Sequence, residues 1–132
     1  MLEIMIVLTI IGVLAALAVP VYQSQIQRSY QQEAMRSLGA TRQAISTFFA
    51  QNGTYTGASI AAVGCNVAFC PNSTGTTGQT VNFTYSISAN AATYTITATR
   101  NANNGGDSVS ALTINQAGTI TRSGVFGSGG GS

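Results

Sequence analysis

Apolar and polar positions along the chain fall into three regimes. From Ile4 to Val21 the residues IMIVLTIIGVLAALAVPV form eighteen consecutive positions without a charge. At about 1.5 Å per residue, such a stretch is long enough to cross a bilayer as a helix. Glu3 stands directly before it, where a carboxylate is costly in lipid unless a cation compensates it. From Tyr22 the pattern becomes amphipathic: Tyr22, Ile26, Tyr30, Ala34, Leu38, Thr41, Ile45 and Phe48 recur at steps of three and four. Gln23, Gln27, Arg28, Gln31, Gln32, Arg36 and Gln43 supply a polar back. Together the two regimes predict one helix from Met1 to about Gln51, stopped by Asn52-Gly53. It would be about 75 Å long, so its first half must find partners in lipid or in other molecules. Pro20 lacks an amide donor and clashes with the carbonyl four residues earlier, which predicts a kink or local unwinding over Ala16 to Pro20. Gly12 is a second weak point and a small surface for close helix approach.

The third regime has period two. Val81, Phe83, Tyr85 and Ile87 alternate with polar residues, as do Tyr94, Ile96 and Ala98, with Ala89-Asn90-Ala91 between them. After the turn Asn101 to Asp107, a second hairpin is expected from Ala111–Asn115 and Thr119–Arg122 around Ala117-Gly118. The residues from Gly53 to Thr80 show little periodicity and read as a connecting loop. The fold class is therefore α+β: a long N-terminal helix whose C-terminal half packs on a small antiparallel sheet of about four strands. The parts are 1–21, an apolar half-helix suited to lipid or to packing on other molecules; 22–51, its amphipathic half; 52–80, the loop; 81–126, the sheet; and 127–132, a flexible tail of sequence GSGGGS.

Composition narrows the chemistry. Five Arg against three acidic residues leave a net charge of +2, and charged residues make up only 6%, well below the roughly 25% of an ordinary domain. There is no Lys, His or Trp, so the commonest general base, the Schiff-base residue and the most frequent metal ligand are all missing. No nucleophile, base and orienting group can be assembled from what is present, and no catalytic residue, cofactor or metal is expected. Cys65 and Cys70 bound the span CNVAFC, too short for a zinc site and not the spacing of redox enzymes. A small disulfide that staples the loop is expected from them, with free thiols the alternative in a reducing compartment.

The stretch Met1 to Pro20, MLEIMIVLTIIGVLAALAVP, resembles the amino-terminal signature of type IV pilins and their pseudopilin relatives in type II secretion. Glu3, Gly12 and Pro20 fall at spacings similar to that pattern, and the likeness continues more weakly through Tyr22 to Phe49. The family's Glu normally sits fifth in the mature chain, whereas here it is third. The resemblance implies an assembly role for Glu3, Gly12 and Pro20, while the methylated amino terminus of the family is not placed on Met1. It implies a structural subunit that waits in the inner membrane, is handled by pilus assembly machinery, and polymerises into a helical homo-oligomeric filament outside a bacterium. Adhesion, twitching motility and DNA uptake are the roles of such fibres. Other subunits, including minor pilins, are implied partners.

Two signals pull against each other. Arg28, Arg36 and Arg42 all follow the apolar segment, and the positive-inside rule would put that side in the cytoplasm. The resemblance puts it outside, where the cysteine pair is easier to explain, and the outside reading is adopted. The alternatives are a type II secretion pseudopilin, a minor tip pilin and, from another class, a DNA receptor for natural transformation using Arg100, Arg122 and the loops. Two or three head arginines make a weak electrostatic footprint for nucleic acid. Asp107 in NANNGGD reads as a turn former rather than a calcium ligand, although some pseudopilins bind calcium. Glu33 is expected to pair with Arg36 at the surface. The N-x-Ser/Thr patterns at Asn52, Asn72 and Asn82 read as chance matches in a chain so rich in these residues.

Overall fold

The computed structural model describes residues 1–63, 72–74, 77–80, 82–102 and 109–128. The expected Cys65–Cys70 disulfide, Asp107, Val81 and the tail from 129 to 132 lie outside the described residues. The chain forms two compact units, Met1–Tyr30 and Gln31–Ser132. One helix, α1 (Leu2–Asn52), contributes to both.

In the first unit α1 is exposed at every position through Gln25. Two of its hydroxyls turn back on the helix: that of Thr9 donates to the Met5 carbonyl and that of Ser24 to the Val21 carbonyl, each at 2.8 Å. Glu3 sits in the first turn, where the partial positive charge of the helix start favours a carboxylate. Ala16–Pro20 stays α-helical, so the local unwinding expected from Pro20 is not present in this chain. A single missing donor breaks one helical hydrogen bond, and uncharged apolar residues with helix-forming Ala and Leu on the N-terminal side sustain the others.

The second unit packs the end of α1 on a six-stranded antiparallel sheet in the order β1-β2-β3-β4-β5-β6. The four expected strands are there: β3 (Phe83–Ala89), β4 (Tyr94–Arg100), β5 (Ala111–Asn115) and β6 (Ile120–Arg122). Two more, β1 (Asn72–Thr74) and β2 (Thr77–Gln79), lie in what reads from the sequence as a connecting loop. Strands of three residues, NST and TGQ, are too short and too polar to show a period of two. Their backbone pairing, Ser73 with Gly78 and Gly78 with Tyr85, depends on the ladder beside them.

Register places the apolar alternation on one face. Tyr85 pairs with Ala98 and Ala98 with Leu112; Ile87 pairs with Ile96 and Ile96 with Ile114. Of the helical stripe, Ala34, Leu38, Thr41 and Ile45 are buried, joined by Ser37. Full burial is worth about 1.5–3 kcal/mol for each Leu or Ile side chain, so this seam and the strand rows opposite it hold the head together. The helix ends where Asn-Gly predicts: Gly53 has φ 70° and its amide donates to the Phe49 carbonyl at 2.7 Å, a left-handed cap that suits glycine.

Two core residues come from unpatterned sequence. Ile60, in the expected loop, is buried, and Phe126, at the very end of the expected sheet region, is 0% exposed with its ring centroid 6.1 Å from that of Phe83. Phe126 is carried by a single helical turn, α2 (Val125–Ser128), which takes in Gly127 and Ser128 of the expected flexible tail. The turn starts at Gly124, φ 63°, where an added Cβ would lie 2.5 Å from the Ser110 hydroxyl oxygen. Ser110 is buried and accepts the Val125 amide at 2.9 Å, which fastens the segment to the start of β5.

Candidate assembly surface

The three residues with an implied assembly role all lie on α1 in the first unit. At 100° per residue, Gly12 is turned about 180° from Glu3 and Pro20 about 80° from Gly12, so they do not form one cluster. Nine and eight residues separate them, or about 13 Å and 12 Å along the axis. What they share is the apolar surface: the large side chains from Leu2 to Val21, among them Ile4, Leu8, Ile11, Leu14 and Leu17, are more than half exposed. A Cβ at Gly12 would meet nothing within 4 Å, leaving a notch in that surface. This helix is long and apolar enough to cross a membrane.

The second unit carries little charge, and its ionised groups are mostly engaged. Glu33 accepts from the Asn82 side-chain amide at 2.8 Å and lies 3.5 Å from the Thr80 hydroxyl, so it fastens the helix to the β2–β3 corner. The sequence offered no signal for this, because the partners are about fifty residues away. Asn82 is thereby occupied at one of the three N-x-Ser/Thr matches. Arg42 donates to the Gln116 carbonyl at 3.3 Å and lies against Gly118, φ 84°, in the β5–β6 turn. A Cβ there would sit 3.1 Å from the guanidinium. Arg100, a candidate phosphate contact, is only 8% exposed at the end of β4, which removes it from the surface. Arg122 remains exposed on β6.

A shallow groove of about 370 Å³ runs beside α1, lined by Met35, Leu38, Gly39, Arg42, Gln43, Ser46 and Ile114. Three rings pack in series: Phe49 stacks on Tyr55 at 4.4 Å, and Tyr55 lies edge-on to Tyr94 at 4.9 Å. Tyr94 is buried and the series is packing at the helix end. No group of three His, Cys, Asp or Glu side chains that could hold a metal occurs among the described residues.

Tyr85 has the most perturbed chemistry. Its hydroxyl is sealed from solvent beside Ser37 and Thr80, without a hydrogen bond of good geometry to either. Burial pushes its pKa above the ordinary value of about 10, and the nearby Glu33 charge adds to that, while the two hydroxyls pull it down. A folded pKa above the unfolded one gives stability that is complete below pH about 10 and lost as pH rises through the folded value. Tyr85→Phe is therefore expected to change stability at pH 7 by less than about 1 kcal/mol, and to flatten its decline above pH 10. Urea titrations at both pH values check this.

The profile of a known family matches residues 20–113, most of the chain; its description is "Type IV minor pilin ComP, DNA uptake sequence receptor". The chain belongs to this family of type IV pilins. Among curated proteins, the fimbrial protein EcpC of Eikenella corrodens is 40% identical over 55 residues, 42% of this chain and 36% of that one. The type IV major fimbrial protein FimA of Dichelobacter nodosus is 49% identical over 47 residues, 36% of this chain and 30% of its own length. The matched part of this pilin thus spans about a third of the length of those relatives. The crystal structure of the non-core minor pilin PilV of Neisseria meningitidis superimposes with a TM-score of 0.60 over 77% of this chain and 91% of that one. At 19% identity this shows a shared fold: the long helix and antiparallel sheet of a pilin.

Proposed function

We propose that this pilin is a structural subunit that is held in the inner membrane by residues 4–21 and then packs those residues against other copies at the centre of an extracellular fibre. The observation that carries the reading is that no residue of that apolar stretch is buried, on a helix that ends in a well-packed head. Each Leu, Ile or Val left in water forgoes about 1.5–3 kcal/mol, so the segment is stable only in lipid or among other apolar helices. Glu3 then has to be compensated, and in a segment without Lys or Arg the nearest cation is a neighbouring subunit's amino terminus. Pilus assembly machinery would move the subunit between the two environments.

Ile10→Arg tests the reading. A charge near the middle of a membrane helix costs about 2.5–3.5 kcal/mol on insertion scales, and it has no partner in a packed core. The variant is expected to leave the membrane fraction and yield no sheared fibres; wild-type yields of both contradict the reading.

A second reading is favoured by the family description: a minor pilin that receives DNA during uptake. The exposed Arg36 and Arg122 and the half-buried Arg42 are head cations within reach of phosphates, and few contacts imply a shallow salt dependence, about 0.9 in log affinity against log salt per phosphate on duplex DNA. Filter binding of duplex DNA at several salt concentrations, with Arg122→Gln expected to reduce the slope by about one, tests it. Absence of binding at low salt leaves the assembly reading alone.

A further inference from the structure

The end of α1 carries a reactive pair. In Asn-Gly the backbone nitrogen of glycine can attack the asparagine side-chain carbon, because no Cβ hinders its approach. Asn52 and Gly53 are such a pair, and both are exposed. Here both reacting groups are engaged by carbonyls of the last helical turn. The Gly53 amide donates to the Phe49 carbonyl at 2.7 Å, and the Asn52 side-chain nitrogen donates to the Phe48 carbonyl at 2.9 Å. Asn52 keeps the helical backbone, and Gly53 lies in the left-handed region at φ 70°. The segment beyond is also tied down. The Tyr55 amide and the Thr54 hydroxyl each donate to the Ala91 carbonyl at 3.3 Å, and Tyr55 stacks on Phe49.

We propose that Asn52 is a modification site gated by the end of α1, where deamidation is blocked while the cap is closed and proceeds when it opens. The Gly53 nitrogen loses its proton and bonds to Cγ of Asn52; the bond from Cγ to the side-chain nitrogen breaks, and ammonia leaves. Water then adds to either carbonyl of the five-membered imide and reopens it to aspartate or isoaspartate. No oxidant or reductant takes part. The product places a negative charge where the helix dipole is already negative, and removes the donor that bonded Phe48. Isoaspartate also lengthens the backbone by one carbon, so the Gly53 amide no longer reaches Phe49 in register. A transient opening is thereby converted into a permanent change, and the site records how often this end of the head has opened. The inference does not depend on how the subunit assembles.

The test follows Asn52 by peptide mass mapping of the full-length, detergent-solubilised chain incubated at pH 8, folded and in urea. Asn104-Gly105, the same dipeptide elsewhere in the chain, serves as the reference rate in urea. Deamidation of Asn52 is expected to be at least about tenfold slower folded than in urea, which corresponds to an opening free energy of about 1.4 kcal/mol. Phe49→Ala, which removes the stack on Tyr55 without touching the reacting atoms, is expected to raise the folded rate several-fold and leave the urea rate unchanged. Equal folded and urea rates at Asn52, or a folded rate insensitive to Phe49→Ala, would overturn the proposal.

Discussion

Replacing Glu3 by alanine is expected to leave the pilin folded and membrane-inserted while fibre yield falls to background. Removing a charge from the start of an apolar helix lowers its insertion cost, so the membrane fraction keeps or gains protein. The head is unaffected, because Glu3 belongs to the other compact unit. Among packed helices the situation reverses. An apolar surface of Leu, Ile, Val and Ala binds its neighbours with little preference for one stagger over another, since sliding one helix along the next exchanges like for like. A single charge that must meet a single opposite charge selects one register, as polar groups do in the seams of coiled coils. Under the proposed packing, a neighbour's amino terminus would also be left buried and unpaired without Glu3, at a cost of several kcal/mol per contact. Glu3→Gln keeps the shape and loses the charge, and is expected to fail in the same way. Counting fibres sheared from cells producing each variant checks this; normal yield from Glu3→Ala rules out the charge as the determinant of register.

Phe126→Ala is expected to destabilise the head by about 3–5 kcal/mol, the usual result of truncating a buried Phe. Its ring is fully enclosed, stacks on Phe83, and is held in place by one helical turn that follows a glycine no other residue can easily replace. Small domains are stable by only about 5–15 kcal/mol, so the loss is a large fraction of the total. For a head of this size the melting midpoint should drop by at least about 12 °C. Val125→Ala, its exposed neighbour, is expected to change stability by less than about 0.5 kcal/mol. Thermal and urea unfolding of both variants separates a core plug from a surface tail. A small effect at Phe126 places the end of the chain outside the cooperative unit.

Much of this architecture was legible because it is written in long periodic stretches. The helix shows in eighteen uncharged residues followed by a stripe at steps of three and four, and its end in Asn-Gly. The hairpins show in the alternation of Phe83, Tyr85, Ile96 and Leu112 with polar residues. What escaped lies where one residue matters and its neighbours carry no pattern. β1 and β2 are three residues each, Ile60 sits in a Gly- and Ala-rich segment, and Phe126 stands alone before a glycine-serine tail. Local spacing on the helix points Glu33 to Arg36, and to this the sheet adds an amide at 2.8 Å that only the fold brings near. Arg100 reads from the sequence as a surface cation, but a strand with period two puts every second residue inside, and Arg100 falls on the same face as Tyr94, Ile96 and Ala98. Glu3, Gly12 and Pro20 belong to the legible stretch, yet their role depends on neighbours that a single chain does not contain.

The measurement that bears most directly on the central claim is electron cryo-microscopy of fibres sheared from cells that produce this pilin. Ordered helical fibres are expected, with residues 4–21 of every subunit packed at the centre, the heads outside, and density joining Glu3 to a neighbour's amino terminus. Fibres whose centre is built from the heads, or subunits recovered only as monomers in the membrane, would contradict that claim.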